Sequence, residues 1–399
     1  MRLSLFLSAV SLGVGAIPCL LSAISNSTCK PTDLECLCAD DRAQDDAGRC
    51  IKAKCPLSDA LSAQNTTLSS CNVPSQDRSQ EYVNIVIPLG VFALVFTVTR
   101  LVFKRFFSAA KRLCPDDWAI LGTVVICIPA MVIDVEGLAA HGLGRDIWTL
   151  TTSDISTFAL YFYVMEILYI ASISLIKLSL SLFYLQLFSG AVVRVLLWCT
   201  VGVNVLFGFV FIIVAIFQCT PVSYYWNQYV DANPGGQCIN INLVGWLNAA
   251  IGVLIDLWMI GLPLTQVMTL RLHWKKKVGV IIMFLFGTFI TIVSILRLHS
   301  LIYFATSDNP TWDLWTPAVW SVIEVNVGMI CTCLPALRLM LVRLFPKIFD
   351  GSRSTSYAHG TSSSQDRSAA RWSKSRPEEA AMSGMESHGE AAAVPSDEP

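Results

Sequence analysis

Seven hydrophobic blocks between Tyr82 and Phe345 leave this chain few folds to choose from. They run Tyr82–Phe103, Asp117–Leu138, Ser156–Phe188, Val195–Phe217, Leu243–Val267, Val278–Tyr303 and Pro317–Val342. A helical residue rises about 1.5 Å, so about 20 apolar residues cross the hydrocarbon core of a bilayer. Every block reaches that length, and the third exceeds it, so that it tilts or runs past the bilayer. Short polar loops join the blocks and leave no room for a second soluble domain. With 54% hydrophobic and 14% charged residues, the composition excludes an ordinary soluble domain. The expected fold is an all-α, seven-helix membrane bundle over residues 82–345, with lipids as its first partners.

The basic residues give the orientation. Lys104, Arg105, Lys111 and Arg112 follow the first block, and Arg194 separates the third and fourth. Arg271, Lys275, Lys276 and Lys277 lie between the fifth and sixth, Arg343 and Lys347 follow the seventh, and the alternate loops hold only Arg145. Because Lys and Arg in short loops stay cytoplasmic, the N-terminus is expected outside and the C-terminus inside a multi-pass plasma-membrane protein. The net charge of −1 hides this asymmetry, and no nucleic-acid partner is expected.

Residues 1–16 have the layout of a secretory signal peptide: an early Arg2, an apolar run, and small residues up to Ala16. Seven of the fourteen cysteines then fall in residues 17–74: Cys19, Cys29, Cys36, Cys38, Cys50, Cys55 and Cys71. This segment has no Phe, Tyr or Trp, so burial alone cannot hold it and disulfides must constrain it. The sequons at Asn26 and Asn65 agree with an exported, glycosylated segment. Cys219 and Cys238 sit in the longest outside loop, and no cysteine lies between Cys127 and Cys199. These two are therefore expected to pair with each other.

The run Ile17-Pro18-Cys19-Leu20-Leu21-Ser22-Ala23-Ile24, followed by Cys29-Lys30-Pro31-Thr32-Asp33-Leu34-Glu35-Cys36-Leu37-Cys38, resembles the CFEM domain of fungal extracellular and membrane proteins. The family pattern has eight cysteines in four disulfides; this chain shows seven, the missing one falling just before Cys19. The resemblance implies a small helical extracellular domain with one cysteine free or paired between molecules. In haem-binding members the Asp between the third and fourth cysteines ligates the iron, which here is Asp33. Its haem platform would consist of Leu20, Leu21, Ile24, Leu34 and Leu37. A second reading of the same residues is a capping box, with Thr32 as N-cap and Glu35 at N3.

Further along stand Asp116-Asp117-Trp118, Gly142-Leu143-Gly144, Lys177-Leu178-Ser179, Cys219-Thr220-Pro221-Val222, Gly236-Gln237-Cys238-Ile239-Asn240, Ile295-Leu296-Arg297-Leu298 and Cys333-Leu334-Pro335. In this order they resemble the fungal "rhodopsin domain" membrane proteins. With a CFEM domain ahead, the chain is similar to the Pth-type G-protein-coupled-receptor-like proteins of filamentous fungi. Retinal is not expected, because opsins attach it to a lysine in the last helix and Pro317–Val342 has none.

Charges within the blocks should face the bundle interior and find partners. They are Asp134 and Glu136 in the second block, Glu166 and Lys177 in the third, Asp256 in the fifth, Arg297 and His299 in the sixth, and Glu324 in the seventh. Glu166 and Lys177 share a helix face but lie about 16 Å apart along it. Asp256 reads as mid-depth and Lys177 as deeper, whereas Arg297 and Glu324 share a depth and are the expected ion pair. The set serves either as a structural polar network or as a ligand cavity or switch.

The tail, residues 346–399, is rich in Ser, Ala and Glu, and is expected to be disordered and cytoplasmic. No nucleotide loop, metal-spaced His pair or nucleophile triad is present, so an enzyme is not expected. The leading reading is a surface receptor for an unknown extracellular ligand, signalling to G-protein α subunits or other cytoplasmic proteins. The alternatives are haem or iron capture and membrane-anchored adhesion.

Overall fold

The computed structural model describes residues 16–30, 33–107, 112–188, 190–230, 235–269, 274–307 and 309–344. The expected signal peptide, Thr32, Lys111, Arg271 and the tail lie outside the described residues, as do the side chains of Leu34 and Lys275 to Lys277.

Four helices build the cysteine-rich head: α1 (Ala16–Asn26), α2 (Leu34–Ala39), α3 (Asp41–Lys54) and α4 (Leu57–Ser70). Asp33 caps α2 by accepting from the Cys36 amide, and Asp40 caps α3 through the Ala43 amide. The N-cap of α2 is thus Asp33 itself rather than Thr32. The head core is small: Cys19, Ile51 and Ala63 are buried, with Leu20, Cys50 and Cys55 packed against them. Bridges Cys19–Cys50, Cys29–Cys36 and Cys38–Cys71 supply what the core lacks. On a chain-entropy account the two longer bridges each contribute about 3–4 kcal/mol. Cys55, grouped with the paired cysteines from its spacing, is unpaired: three bridges use six of the seven. Asn26 and Asn65 are both exposed.

Seven membrane-length helices follow among the described residues. They are α5 (Ser79–Val102), α6 (Pro115–Val132), α7 (Thr152–Leu187), α8 (Ala191–Ile216), α10 (Ile241–Thr269), α11 (Trp274–Phe304) and α13 (Trp315–Leu344). Short helices α9 (Tyr224–Asn227) and α12 (Pro310–Asp313) sit in the loops. Local chemistry sets the starts: Pro115 occupies the first turn of α6 beside Asp116 and Asp117, and a Thr151/Asp154 capping box opens α7. Pro129 removes one ladder donor, and the chain then widens into a π-helical turn over Ile133–Ala139 that carries Asp134. Val195, Leu206 and Phe209 of α8 are more than 60% exposed, a face that suits hydrocarbon and not water.

Head and bundle belong to one compact unit. Leu57 and Leu61 of α4 pack on Ile147, Leu150, Ile155 and Tyr229 at one end of the bundle, called the head end below. A polar clasp closes this end. Asp146 accepts from the Gln76 amide and from Asn309 Nδ2, each at 2.7 Å, and Thr311 donates to the Arg145 carbonyl at 2.7 Å. The Gly144 amide donates to Thr311 O, while Gly144 O accepts from the Arg78 amide. The Arg78 guanidinium lies 3.6 Å over the Trp315 ring. Gly144 has φ +77°, and a Cβ there would stand 2.8 Å from Trp315 Cδ1 and 3.2 Å from the Arg78 backbone. That close approach accounts for the glycine in the Gly-Leu-Gly step. Between α8 and α10, strands β1 (Cys219–Thr220) and β2 (Gln237–Cys238) pair antiparallel, and Cys219 is bonded to Cys238.

Candidate functional site

Among the described residues two larger cavities lie in the bundle, and between them is a polar partition that holds a third, smaller pocket against Tyr169, Lys177, Arg297 and Glu324. The head-end cavity has an empty volume of about 1290 Å³, its open mouth included. Its wall is mainly apolar, with Val86, Met131, Phe162, Met165 and Val322 among its lining. A second cavity of about 880 Å³ lies beyond, towards the end where α5 finishes and α6 begins, the far end.

The partition is built by α7, α10, α11 and α13. Lys177 Nζ lies 2.9 Å from Asp256 and donates to the Gly252 carbonyl at 2.8 Å. Arg297 Nε lies 2.9 Å from Glu324 Oε2, a contact of charges whose N–H points off the line of a hydrogen bond. Tyr169 donates to Glu324 Oε2 at 2.7 Å, and its ring lies 4.7 Å below the Arg297 guanidinium. Ser294 reaches both Glu324, at 2.5 Å, and Asp256, at 3.2 Å, and so joins the two ion pairs. Two cations and two carboxylates cancel here, and all four residues are buried. Tyr169 and Arg297 line the head-end cavity, Lys177 and Asp256 the far one. The Arg297–Glu324 pair therefore spans the partition.

The other residues read from the sequence divide. Asp134 is 5% exposed, lines the head-end cavity and accepts from the Tyr82 hydroxyl at 2.7 Å. Glu166 lines the same cavity and accepts from Gln218 Nε2 at 3.1 Å. Glu136 and His299 do not join the network; both are exposed. Each stands two residues from an inward-facing partner, Asp134 or Arg297, and positions two apart on a helix point to different sides. The depth reading separated Lys177 from Asp256, yet they pair, because a long lysine stem carries its ammonium well away from its own Cα.

A second ionic cluster at the far end escaped the sequence reading. Arg100 pairs with Asp116 and, at 2.9 Å, with Asp117, and Lys104 lies 2.8 Å from each of the same two. Arg100 also donates to the Thr332 carbonyl, Gln186 donates to Asp116 at 2.7 Å, and Ser179 donates to its carbonyl at 2.9 Å. Asp117 accepts from the Cys114 amide at 3.0 Å. Four helices are thereby tied together. The available signal was a lone arginine before the end of the first block, followed by an Asp-Asp step.

In the head, Asp33 is exposed and its Oδ1 serves the α2 cap. Leu20 packs into the head's own core, and the segment supplies no aromatic face. Of the expected haem platform, Leu21 is exposed and the side chain of Leu34 lies outside the described residues.

Residues 99–343 match the fungal rhodopsin domain and residues 10–72 the CFEM domain. The chain is 34% identical over 245 residues to a SAT4 family membrane protein of Emericella nidulans, covering 59% of this chain and 60% of that one. It is 23% identical over 269 residues to the receptor GIN3 of Arthrobotrys oligospora, covering 66% of this chain and 64% of that one. It is also 24% identical over 277 residues to the polyenoic acids biosynthesis gene cluster protein Ba17b of Metarhizium anisopliae, covering 64% and 74%. The chain thus spans about 60% of the length of the first of these relatives. No solved structure matches it at a significant level. With a family match that takes in all but the start of the bundle, the chain belongs to the fungal rhodopsin-domain membrane proteins and carries a CFEM domain ahead of its helices.

Proposed function

We propose that this protein is a plasma-membrane receptor, with its head outside the cell and the basic stretch that holds Lys104 and Arg112 inside. The observation that carries the reading is the partition. A ligand in the head-end cavity would touch Tyr169 and Arg297, and Arg297 is tied through Glu324 and Ser294 to Asp256 on the far side. A ligand shifts an equilibrium only through contacts that differ between two states, and ion pairs able to exchange partners supply such contacts. The basic loop residues support the orientation, and the similarity to a protein named a receptor agrees with it.

The cytoplasmic partners expected are G-protein α subunits. Resonance-energy transfer between a donor fused to the tail and acceptor-labelled α subunits tests this in fungal cells. The expected signal exceeds that of an unrelated multi-span protein and changes in Glu324→Gln. A signal equal to the control for every α subunit overturns the receptor reading.

A further inference from the structure

Of the charges facing the head-end cavity, the one cation among the described lining residues, Arg297, already has its counter-ion in Glu324. The two remaining charges are both negative. Asp134, on the widened turn after Pro129, accepts from the Tyr82 hydroxyl through Oδ1. Glu166, on α7, meets only the Gln218 amide. No described cation lies within ion-pair distance of either carboxylate. Among the described residues of the membrane-spanning helices the other buried acids are ion-paired: Asp116, Asp117, Asp256 and Glu324 each have a Lys or Arg within 3 Å, whereas Asp146 in the head-end clasp is held by amide donors. Within the membrane-spanning helices the other buried acids thus have counter-ions, and the buried Asp134 and half-buried Glu166 at this cavity do not. A carboxylate away from water and without a cation is costly unless something else brings the charge.

We propose that the head-end cavity takes an organic cation: a protonated amine on an apolar body, its ammonium held by Asp134 and Glu166. Asp134, on the π-helical turn that continues α6, and Glu166, on the neighbouring α7, lie in the wall of one cavity. The rest of the lining, with Val86, Met131, Phe162 and Met165, suits a hydrocarbon or aromatic frame. A bare metal ion would leave the apolar wall unused. A carboxylate ligand would meet two like charges with Arg297 already engaged. This inference deepens the receptor reading and rests on it only for its biological meaning, since binding is measurable without signalling.

The test uses the full-length chain in nanodiscs with three probes of one frame: 4-phenylbutylamine, 4-phenylbutyrate and 4-phenylbutanol. The amine is expected to give a saturable rise in melting temperature of about 4 °C, with little from the acid or the alcohol. Asp134→Asn and Glu166→Gln should each weaken the amine's apparent affinity tenfold or more. Without probe, both variants should melt no lower than the parent, because each removes an uncompensated charge while keeping a polar group. That readout stands even where a variant binds nothing. Equal shifts from all three probes, a preference for the acid, no shift from any, or amine binding unchanged in both variants would each overturn the proposal. Amine binding without α-subunit coupling removes the receptor reading and leaves the cation site; coupling without amine binding does the reverse.

Discussion

The two ionic clusters inside the bundle have the same formal content, two cations and two carboxylates, but opposite surroundings. At the far end, Arg100, Lys104, Asp116 and Asp117 are enclosed by Gln186, Ser179, the Thr332 carbonyl and the α6 cap, so that every charge has several fixed partners. At mid-bundle, Lys177–Asp256 and Arg297–Glu324 lie between two cavities and are joined chiefly through the Ser294 hydroxyl. Charge count alone therefore does not separate a clamp from a switch. What separates them is whether space and a second partner lie beside each ion, because a fully packed pair has one arrangement and a pair beside a cavity can adopt two.

The contrast can be broken first at the clamp. Arg100→Met leaves two buried carboxylates with Lys104 alone, and a loss of about 3–5 kcal/mol is expected, read as failure to give a monodisperse peak after detergent extraction. A folded, extractable variant would remove the distinction. At the partition, Glu324→Gln keeps acceptor capacity for Tyr169 and Ser294, so a smaller loss of about 2 kcal/mol is expected, seen as a lower but cooperative melting transition. In the clasp, Gly144→Ala forces a left-handed residue to carry a Cβ against Trp315, for about 1–2 kcal/mol by the same thermal assay. In the head, Asp33→Ala removes the α2 cap for about 1 kcal/mol, and haemin titrated into parent and variant should give indistinguishable Soret spectra. A Soret shift present only in the parent would assign Asp33 as an iron ligand.

The membrane helices were legible because each is a long apolar run bounded by polar residues, and a bilayer permits little else over such a length. The Cys219–Cys238 bridge was legible because no cysteine precedes it near α7. The head's unpaired cysteine was expected in number but not in identity, since spacing does not choose among partners; the three bridges of the fold leave Cys55 over. Side-chain direction was the weak link. Glu136 and His299 sit at apolar-block positions like their neighbours, and only helix phase turns them outward. Arg100 was hidden because an arginine near a block end reads as part of the basic loop after it, although the Asp-Asp step that neutralises it was visible as a motif.

The central claim is that Arg297 and Glu324 form one exchangeable pair between the cavities, and the direct measurement is a charge-swap cycle. Arg297→Glu, Glu324→Arg and the double variant would be compared by melting temperature in nanodiscs and by resonance-energy signal with α subunits. Each single variant is expected to lose both readouts, and the double variant to recover at least half of the melting temperature with an altered signal. A double variant no better than the worse single one would contradict the account.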